Sequence, residues 1–151
     1  MPRIIETDLS IFNVRTDVLV NPVNCVGTMG AGLAKEFSWR YPEMYSDYKS
    51  ACKSKTLKIG TIHTWENGKI CIANLPTKNR WIERSEYSTI NTGMRELVKF
   101  LLKSELRTVA IPRLGCGLGG LDWGTVRKIV VGQVEILPDD FTVYLFEGKN
   151  D

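Results

Sequence analysis

The stretch DVLVNPVNCVGTMGAGLAKEF, residues 17–37, decides the fold because it joins an apolar strand to a helix through three glycines. Residues 17–21 are predicted to form a buried strand ending at Asn21, whose side chain we expect to bond the backbone of its own loop. Apolar side chains then recur at helical spacing, and Pro42 both ends that helix and suits the first position of another over residues 43–53. These apolar residues are Leu33, Ala34, Phe37 and Tyr41.

A β-hairpin is predicted around Asn67-Gly68, because both positions of such a turn must accept a positive φ. Its strands are residues 59–66 and 69–74, and they should pair antiparallel. Ser85 can then cap a long amphipathic helix. The apolar stripe of this helix is Ile90, Met94, Leu97, Val98, Leu101 and Leu102.

Three more strands are predicted from short β-rich runs at residues 3–7, 108–112 and 141–146. Between the last two, Asp122 can cap a further helix. Strands separated by helices need crossover connections, so the fold class is α/β: three layers, α/β/α, with a mixed, mostly parallel sheet of about six strands. Residues 1–151 are expected to form a single domain.

The composition is that of an ordinary globular protein, with 43% hydrophobic and 25% charged residues. No apolar run approaches the roughly 20 residues that span a bilayer, and the N-terminus turns polar too soon for a signal peptide. We therefore expect a cytoplasmic protein with no membrane contact, and we expect a monomer without a cofactor. The four cysteines lie far apart in the sequence, which indicates free thiols. The single histidine, His63, is expected on a strand, exposed or half-buried. With one histidine and no paired cysteines, the sequence lacks the ligands of a metal site. The net charge of +3 is small for a general nucleic-acid binder.

Two glycine loops follow strands at the sheet edge where α/β proteins bind ligands. The first loop, residues 27–32, opens a helix whose free amides can hold an anion, and the second loop is residues 115–120. Leu33 occupies the place of a P-loop lysine, and the second loop comes too late in the chain for a dinucleotide fingerprint. Cys116 is interpreted as a small hydrophobe, because no base accompanies it. Two such loops at one sheet edge suit a diphosphate.

Three motifs in order, DVLVNPVNCVGTMGAGLA, NLPTKNRW and IPRLGCGLGGLDW, resemble those of the macrodomain family, whose members bind ADP-ribose. They are similar in particular to the branch that contains the terminal ADP-ribose protein glycohydrolase and the DarG antitoxin, which removes ADP-ribose from thymidine in DNA. The resemblance covers nearly the whole chain. It implies a mixed sheet of about six strands between helices, which agrees with the pattern above.

The resemblance also implies an ADP-ribose site. Asp8, followed by Leu9, stands where macrodomains contact adenine, although from the residues alone Asp8 is equally well a turn residue. Asn24 stands where they contact the distal ribose. An aromatic near the last strand would stack on adenine, and Phe146 is the first choice, with Tyr144 as the alternative. The diphosphate and the distal ribose would lie on Gly30, Ala31, Gly32, Leu33, Gly115, Cys116, Gly117, Leu118, Gly119 and Gly120.

Lys78, in NLPTKNRW, stands where the glycohydrolases of this branch carry their catalytic lysine. It follows a predicted strand as the chain leaves the sheet, and the pKa of a lysine falls readily on desolvation. An uncharged amine could attack the anomeric carbon of the distal ribose, whereas a protonated one could stabilise negative charge or donate a proton. In the terminal protein glycohydrolase an aspartate assists the lysine, but Gly119 stands at that position here.

The resemblance therefore implies hydrolysis of an ADP-ribosyl bond, with ADP-ribosylated thymidine in single-stranded DNA as the leading substrate. The candidate nucleic-acid contacts are Arg80, Trp81 and Arg84, with Tyr87, Arg113 and Trp123 as further members of the cluster. Taken one by one, each is expected to be packing or solvated surface. Two alternatives stay open: a non-catalytic reader of ADP-ribose, and a hydrolase of ADP-ribose-1″-phosphate or O-acetyl-ADP-ribose.

Overall fold

The computed structural model describes residues 1–146 and contains one six-stranded sheet. Its strands are β1 (Arg3–Thr7), β2 (Val18–Val23), β3 (His63–Glu66), β4 (Cys71–Pro76), β5 (Thr108–Ile111) and β6 (Thr142–Phe146). They lie in the order β1-β6-β5-β2-β4-β3, and each neighbouring pair is parallel except β3 with β4. The predicted mixed sheet with one antiparallel hairpin is confirmed.

Helices cover both faces of this sheet: α1 (Gly32–Arg40), α2 (Pro42–Lys53), α3 (Tyr87–Lys103) and α4 (Trp123–Val134). Val18 and Val20 of β2 join the core under α3 and α4, whereas Leu19 and Val23 join the core under α1 and α2. Alternate residues of one strand thus enter opposite cores, as in a strand buried on both faces. The predicted three-layer α/β/α fold is confirmed. Within the described residues, no helix has the length and apolar character that a bilayer crossing requires.

Strands β2 and β5 separate toward their carboxyl ends. β5 pairs with β2 only at Val18 and Leu19, whereas β4 follows β2 as far as Val23. β2 therefore runs two residues past its predicted end. The Val23 carbonyl accepts from the Thr77 N–H on the β4 side. Backbone groups of successive strand residues point to opposite sides, so those of Pro22 point to the β5 side, which is unpaired here. The N–H that proline lacks would have had no partner there. The chain leaves β2 and β5 toward opposite edges of the sheet, and such switch points form binding crevices.

The predicted cap of α4 is confirmed, and the predicted cap of α3 is wrong. The Asp122 carboxylate accepts from the Thr125 N–H at 3.0 Å and so caps α4. Before α3 the flanking residue is Glu86, and the buried Ser85 hydroxyl has no hydrogen-bond partner in the described part of the chain. The Ser85 N–H donates instead to the carbonyl of Gly119 at 3.0 Å. Ser85 therefore joins the segment before α3 to the second loop.

A ladder of four polar side chains crosses the sheet below the first loop. The side-chain amide of Asn21 donates to the side-chain oxygen Oδ1 of Asn74 at 2.9 Å, and the Asn74 side-chain amide donates to Nδ1 of His63 at 2.9 Å. Nε2 of His63 lies 2.7 Å from a carboxylate oxygen of Asp47 on α2. The prediction that Asn21 bonds the backbone of its own loop is wrong, because the neighbouring strand supplies a side-chain acceptor in register; in the loop its amide contacts only the sulfur of Met29, at 3.8 Å. His63 is half-buried at the start of β3, as predicted.

Candidate functional site

A cavity of about 690 Å³ lies at the carboxyl ends of β2, β4 and β5, where β2 and β5 separate. Its wall is formed by the first loop, the segment after β4 and the second loop, so the structure brings the three sequence motifs together. The predicted site residues that line it are Asn24, Gly30, Ala31, Gly32, Leu33, Lys78, Trp81, Arg113, Gly115, Cys116, Gly117, Leu118 and Gly119.

The other predicted site residues do not line the cavity: Asp8, Leu9, Arg80, Arg84, Tyr87, Gly120, Trp123, Tyr144 and Phe146. Stacking of Phe146 on adenine does not fit this structure, because its side chain is 0% exposed and packs in the core under α1 and α2. Tyr144 is partly buried against the same core. Asp8 is exposed just beyond β1, two strands from β5 in the sheet order. The adenine contact of Asp8 stays a prediction.

The side chain of Asn24 holds the first loop together. Its amide nitrogen donates to both the carbonyl and the hydroxyl oxygen of Thr28, at 2.9 and 3.0 Å. Its amide oxygen accepts from the Val26 N–H at 3.1 Å and from the Tyr48 hydroxyl at 2.8 Å. Both amide hydrogens are therefore already in use. The role predicted for Asn21 belongs to Asn24, and a direct ribose bond from Asn24 would have to displace Thr28.

The first loop leaves backbone groups and space free at the start of α1. Ala31 precedes the helix without a side-chain cap, so the first N–H groups lack an intrahelical acceptor. Gly32 has a φ of +58°, which favours glycine. A Cβ built on Gly30 would meet no atom within 4 Å, and its φ needs no glycine. The protein therefore leaves open the space beside Gly30, which faces the cavity.

In the second loop, protein atoms fill the space that the glycines leave. A Cβ on Gly119 would lie 2.4 Å from the Ser85 hydroxyl and 2.5 Å from the carbonyl oxygen of Gly115. Gly115 itself has a φ of +73°. The carbonyl of Gly120 accepts weakly from the Arg84 guanidinium at 3.5 Å. An aspartate at position 119, as in the terminal protein glycohydrolase pattern, would not fit without movement of this backbone.

Lys78 is held in the cavity wall by the backbone on both sides of it. The N–H of Thr77 donates to the Val23 carbonyl, and the N–H of Cys25 donates to the Asn79 carbonyl, each at 2.9 Å. The Lys78 side chain is half-buried, and it makes no hydrogen bond or ion pair within residues 1–146. Desolvation lowers the pKa of Lys78 below the ordinary lysine value. The site thus presents an amine with a reduced preference for its charged form.

Arg113 is a second cation in the cavity wall. Its guanidinium lies 5.5 Å from the ring of Trp123, and its buried Nε–H has no hydrogen-bond acceptor within the described chain. No described carboxylate forms an ion pair with it. A buried guanidinium donor without an acceptor is costly, so the cavity is suited to an anionic group.

Cys116 does not fit the role of a nucleophile. Burial raises the pKa of its thiol to about 11, and the nearby charge of Arg113 only partly opposes this. The interpretation of Cys116 as a small hydrophobe agrees with this. Within residues 1–146, no three histidine, cysteine or acidic side chains gather where they could hold a metal ion.

The sequence motifs did not single out some of the residues that line the cavity. They are Pro22, Val23, Thr28, Met29, Ala34 and Thr77. Each lies inside one of the three quoted motifs, but the sequence analysis gave it no contact with the ligand. Treating every residue of the motifs as a possible contact would have found them.

Comparison with known proteins gives consistent matches. The Macro domain family model matches residues 20–130. A DNA ADP-ribosyl glycohydrolase of Mycobacterium tuberculosis (strain ATCC 25618 / H37Rv) is 40% identical over 134 residues, which cover 85% of this chain and 38% of that protein. The macrodomain of Mycobacterium tuberculosis DarG has a TM-score of 0.93 and 36% identity, covering 98% of this chain and 100% of that one.

The structure of Thermosipho africanus DarTG in complex with ADP-ribose is also similar, with a TM-score of 0.90 and 29% identity. The match covers 100% of this chain and 43% of that one. The chain spans about two fifths of the length of the first curated relatives that it matches.

Proposed function

This chain belongs to the macrodomain family, and from that premise we propose that it is an ADP-ribosyl glycohydrolase that removes ADP-ribose from thymidine in DNA. The observation that carries the proposal is Lys78, an amine that is half-buried in the cavity wall and unpaired within residues 1–146. The relatives named as DNA ADP-ribosyl glycohydrolases support the choice of reaction and substrate.

In this proposal ADP-ribose binds across the cavity with its diphosphate between the two loops. The uncapped N–H groups at the start of α1 attract the negative charge of the diphosphate. The free space at Gly30 admits the ligand, and Arg113 supplies the charge and the unsatisfied donor. The distal ribose then lies toward β4, beside Lys78. Asp8 and Leu9 lie toward the adenine at the β1 end of the same sheet edge.

Lys78 acts as a neutral nucleophile in this proposal, because burial without an anionic partner favours the uncharged amine. Its Nζ attacks C1″ of the distal ribose, and the electron pair of the broken bond leaves with the base, which takes a proton from water. Nζ then loses a proton, and the C1″–O4″ bond opens as O4″ gains a proton, which leaves a Schiff base. Water hydrolyses the Schiff base and returns the free amine and ADP-ribose.

The direct test is incubation of the protein with an oligonucleotide that carries ADP-ribosylated thymidine, with released ADP-ribose as the readout. Lys78→Ala should abolish release, because the nucleophile is lost, while Lys103→Ala, at the exposed end of α3, should release at the wild-type rate. Borohydride should trap a covalent adduct on the wild type only. Release by Lys78→Ala at the wild-type rate would contradict the assignment.

The pH profile separates the two roles of Lys78. A neutral nucleophile predicts that the rate rises with pH to a plateau, with the midpoint below the ordinary lysine value, because burial lowers the pKa of Lys78. A rate that falls over the same range would show the protonated amine as the active form. Tight ADP-ribose binding without turnover would select a reader, and release of phosphate or acetate from the small metabolites would select the third function.

We place this activity in the cytoplasm and in a monomer. The four cysteines are all unpaired in the structure, which suits a reducing compartment. Gel filtration with light scattering would test the monomer.

A further inference from the structure

The turn that carries Trp81 is fastened to both glycine loops. At its start, the Asn79 carbonyl accepts from the N–H of Cys25 beside the first loop, at 2.9 Å. At its end, the Ser85 N–H donates to the carbonyl of Gly119 in the second loop, at 3.0 Å. Inside the turn, the Glu83 N–H donates to the Arg80 carbonyl at 3.0 Å. Trp81 is therefore presented on a short turn with fixed ends.

Trp81 is exposed although it lines the cavity. Its side chain is 65% exposed, and within residues 1–146 no ring or cation stacks on its indole. Leu118 of the second loop lines the same cavity and is 67% exposed. Two large apolar side chains at the mouth of a cavity, on loops that are bonded to each other, indicate a surface for a flat apolar ligand.

The formal charges on the turn that carries Trp81 sum to zero. Arg80 and Arg84 are exposed on this turn, and so are Glu83 and Glu86. None of the four forms an ion pair with a described side chain, so the turn carries two positive and two negative charges and no net charge; the cations of the cavity wall are Lys78 and Arg113. Such a turn offers an aromatic face without a net attraction for a phosphate backbone. Recognition here depends on stacking.

We propose that Trp81 and Leu118 form a subsite for the leaving group, which accepts one unstacked nucleobase beside Lys78. This inference rests on the proposed function and deepens it: the substrate class is an ADP-ribosylated nucleobase that is free of its neighbours. A base inside a duplex has both faces covered and cannot reach Trp81 without leaving the stack. Arg80 and Arg84, which do not line the cavity, contribute little to the affinity for the strand.

The test compares Trp81→Ala with Trp81→Phe, and with Trp39→Ala as the matched control, because Trp39 is 69% exposed on α1 and outside the cavity wall. On the ADP-ribosylated thymidine oligonucleotide, Trp81→Ala should lower kcat/KM about tenfold, the scale of one base-stacking contact. Trp81→Phe should recover most of this loss, and Trp39→Ala should lose none. Affinity for free ADP-ribose should stay the same in all three variants.

Binding in a Lys78→Ala background separates this inference from the proposed function, since it needs no turnover. The inactive protein should bind the intact modified oligonucleotide about tenfold more weakly when Trp81→Ala is added. If the wild type releases no ADP-ribose but this loss of binding remains, the hydrolysis fails and the subsite stands. Equal binding with and without Trp81, or an equal loss for free ADP-ribose, would overturn the subsite.

A second experiment measures how binding depends on the length of the DNA strand and on the salt concentration. Because the turn has no net charge, an ADP-ribosylated thymidine nucleoside should be bound within about threefold of the oligonucleotide, and the salt slopes of the two should differ by less than one released counterion. A steep salt dependence, with the nucleoside bound far more weakly, would show that the backbone carries recognition. That result would overturn the single-base subsite.

Discussion

The two glycine loops look alike in the sequence but use their glycines in different ways. In the first loop, a Cβ on Gly30 would meet open space, and the loop is held together by the side chain of Asn24. In the second loop, a Cβ on Gly119 would meet backbone and the Ser85 side chain. The difference separates space kept for a ligand from space filled by the protein, since one glycine leaves room in the cavity and the other permits close packing.

The largest change in stability is expected for a substitution at Gly119, in the closely packed second loop. Gly119→Ala should destabilise the protein by about 3 kcal/mol, because the methyl group overlaps a backbone oxygen that cannot move freely. Urea unfolding measures the loss. The matched control is Gly132→Ala in α4, where a Cβ meets nothing within 4 Å; it should be stabilising by about 0.5–1 kcal/mol. Equal stabilities for the two variants would remove the contrast between the loops.

The next effect is expected at Asn24, whose side chain does in the first loop what close packing does in the second. Asn24→Ala should cost about 2 kcal/mol, because it removes the side-chain partners of the Val26 N–H and of Thr28, whereas the Tyr48 hydroxyl keeps the backbone carbonyl of residue 24. Urea unfolding again gives the value. Asn24→Asp keeps the acceptor and loses the two donors to Thr28, so it should fall between Asn24→Ala and the wild type. If Asn24→Ala kept full stability and lost only ribose affinity, Asn24 would be a ligand contact.

The smallest change in stability is expected at Gly30. A substitution there tests directly whether the first loop keeps space for a ligand. Gly30→Ala should leave the free energy of unfolding within about 0.5 kcal/mol of the wild type, because the new methyl group meets no protein atom. Its affinity for ADP-ribose should fall about tenfold or more, because the methyl group occupies space that the ligand needs. Calorimetry measures the affinity. Unchanged affinity would show that ADP-ribose does not approach Gly30.

The sequence predicted what depends on local pattern. Alternation, helical spacing and the Asn67-Gly68 turn place the strands and helices, and Asp122 needs only its own helix to act as a cap. Lys78 also follows its strand into the cavity wall, as expected from its position after KICIANL.

What failed depends on contacts between distant segments. Ser85 lies one residue before the observed N-cap residue of α3, Glu86, and its backbone N–H bonds the second loop. Asn24, and not Asn21, bonds the backbone of the first loop, because a side chain on β4 stands opposite Asn21 and accepts its hydrogen bond. Phe146 is an aromatic at the expected strand end, yet strand alternation does not say which face the ligand uses. Gly30 and Gly119 are indistinguishable until the atoms around them are placed.

The ladder of polar side chains from Asn21 to Asp47 connects the cavity wall to His63, whose imidazole can report on the cavity by NMR. His63 is the single histidine of the chain, and the Asn74 donor at Nδ1 places its ring proton on Nε2, facing Asp47. At the other end, the Asn21 amide lies 3.8 Å from the sulfur of Met29 in the cavity wall. Filling the cavity should therefore shift one isolated imidazole resonance, so that occupancy can be followed by NMR without introducing a label.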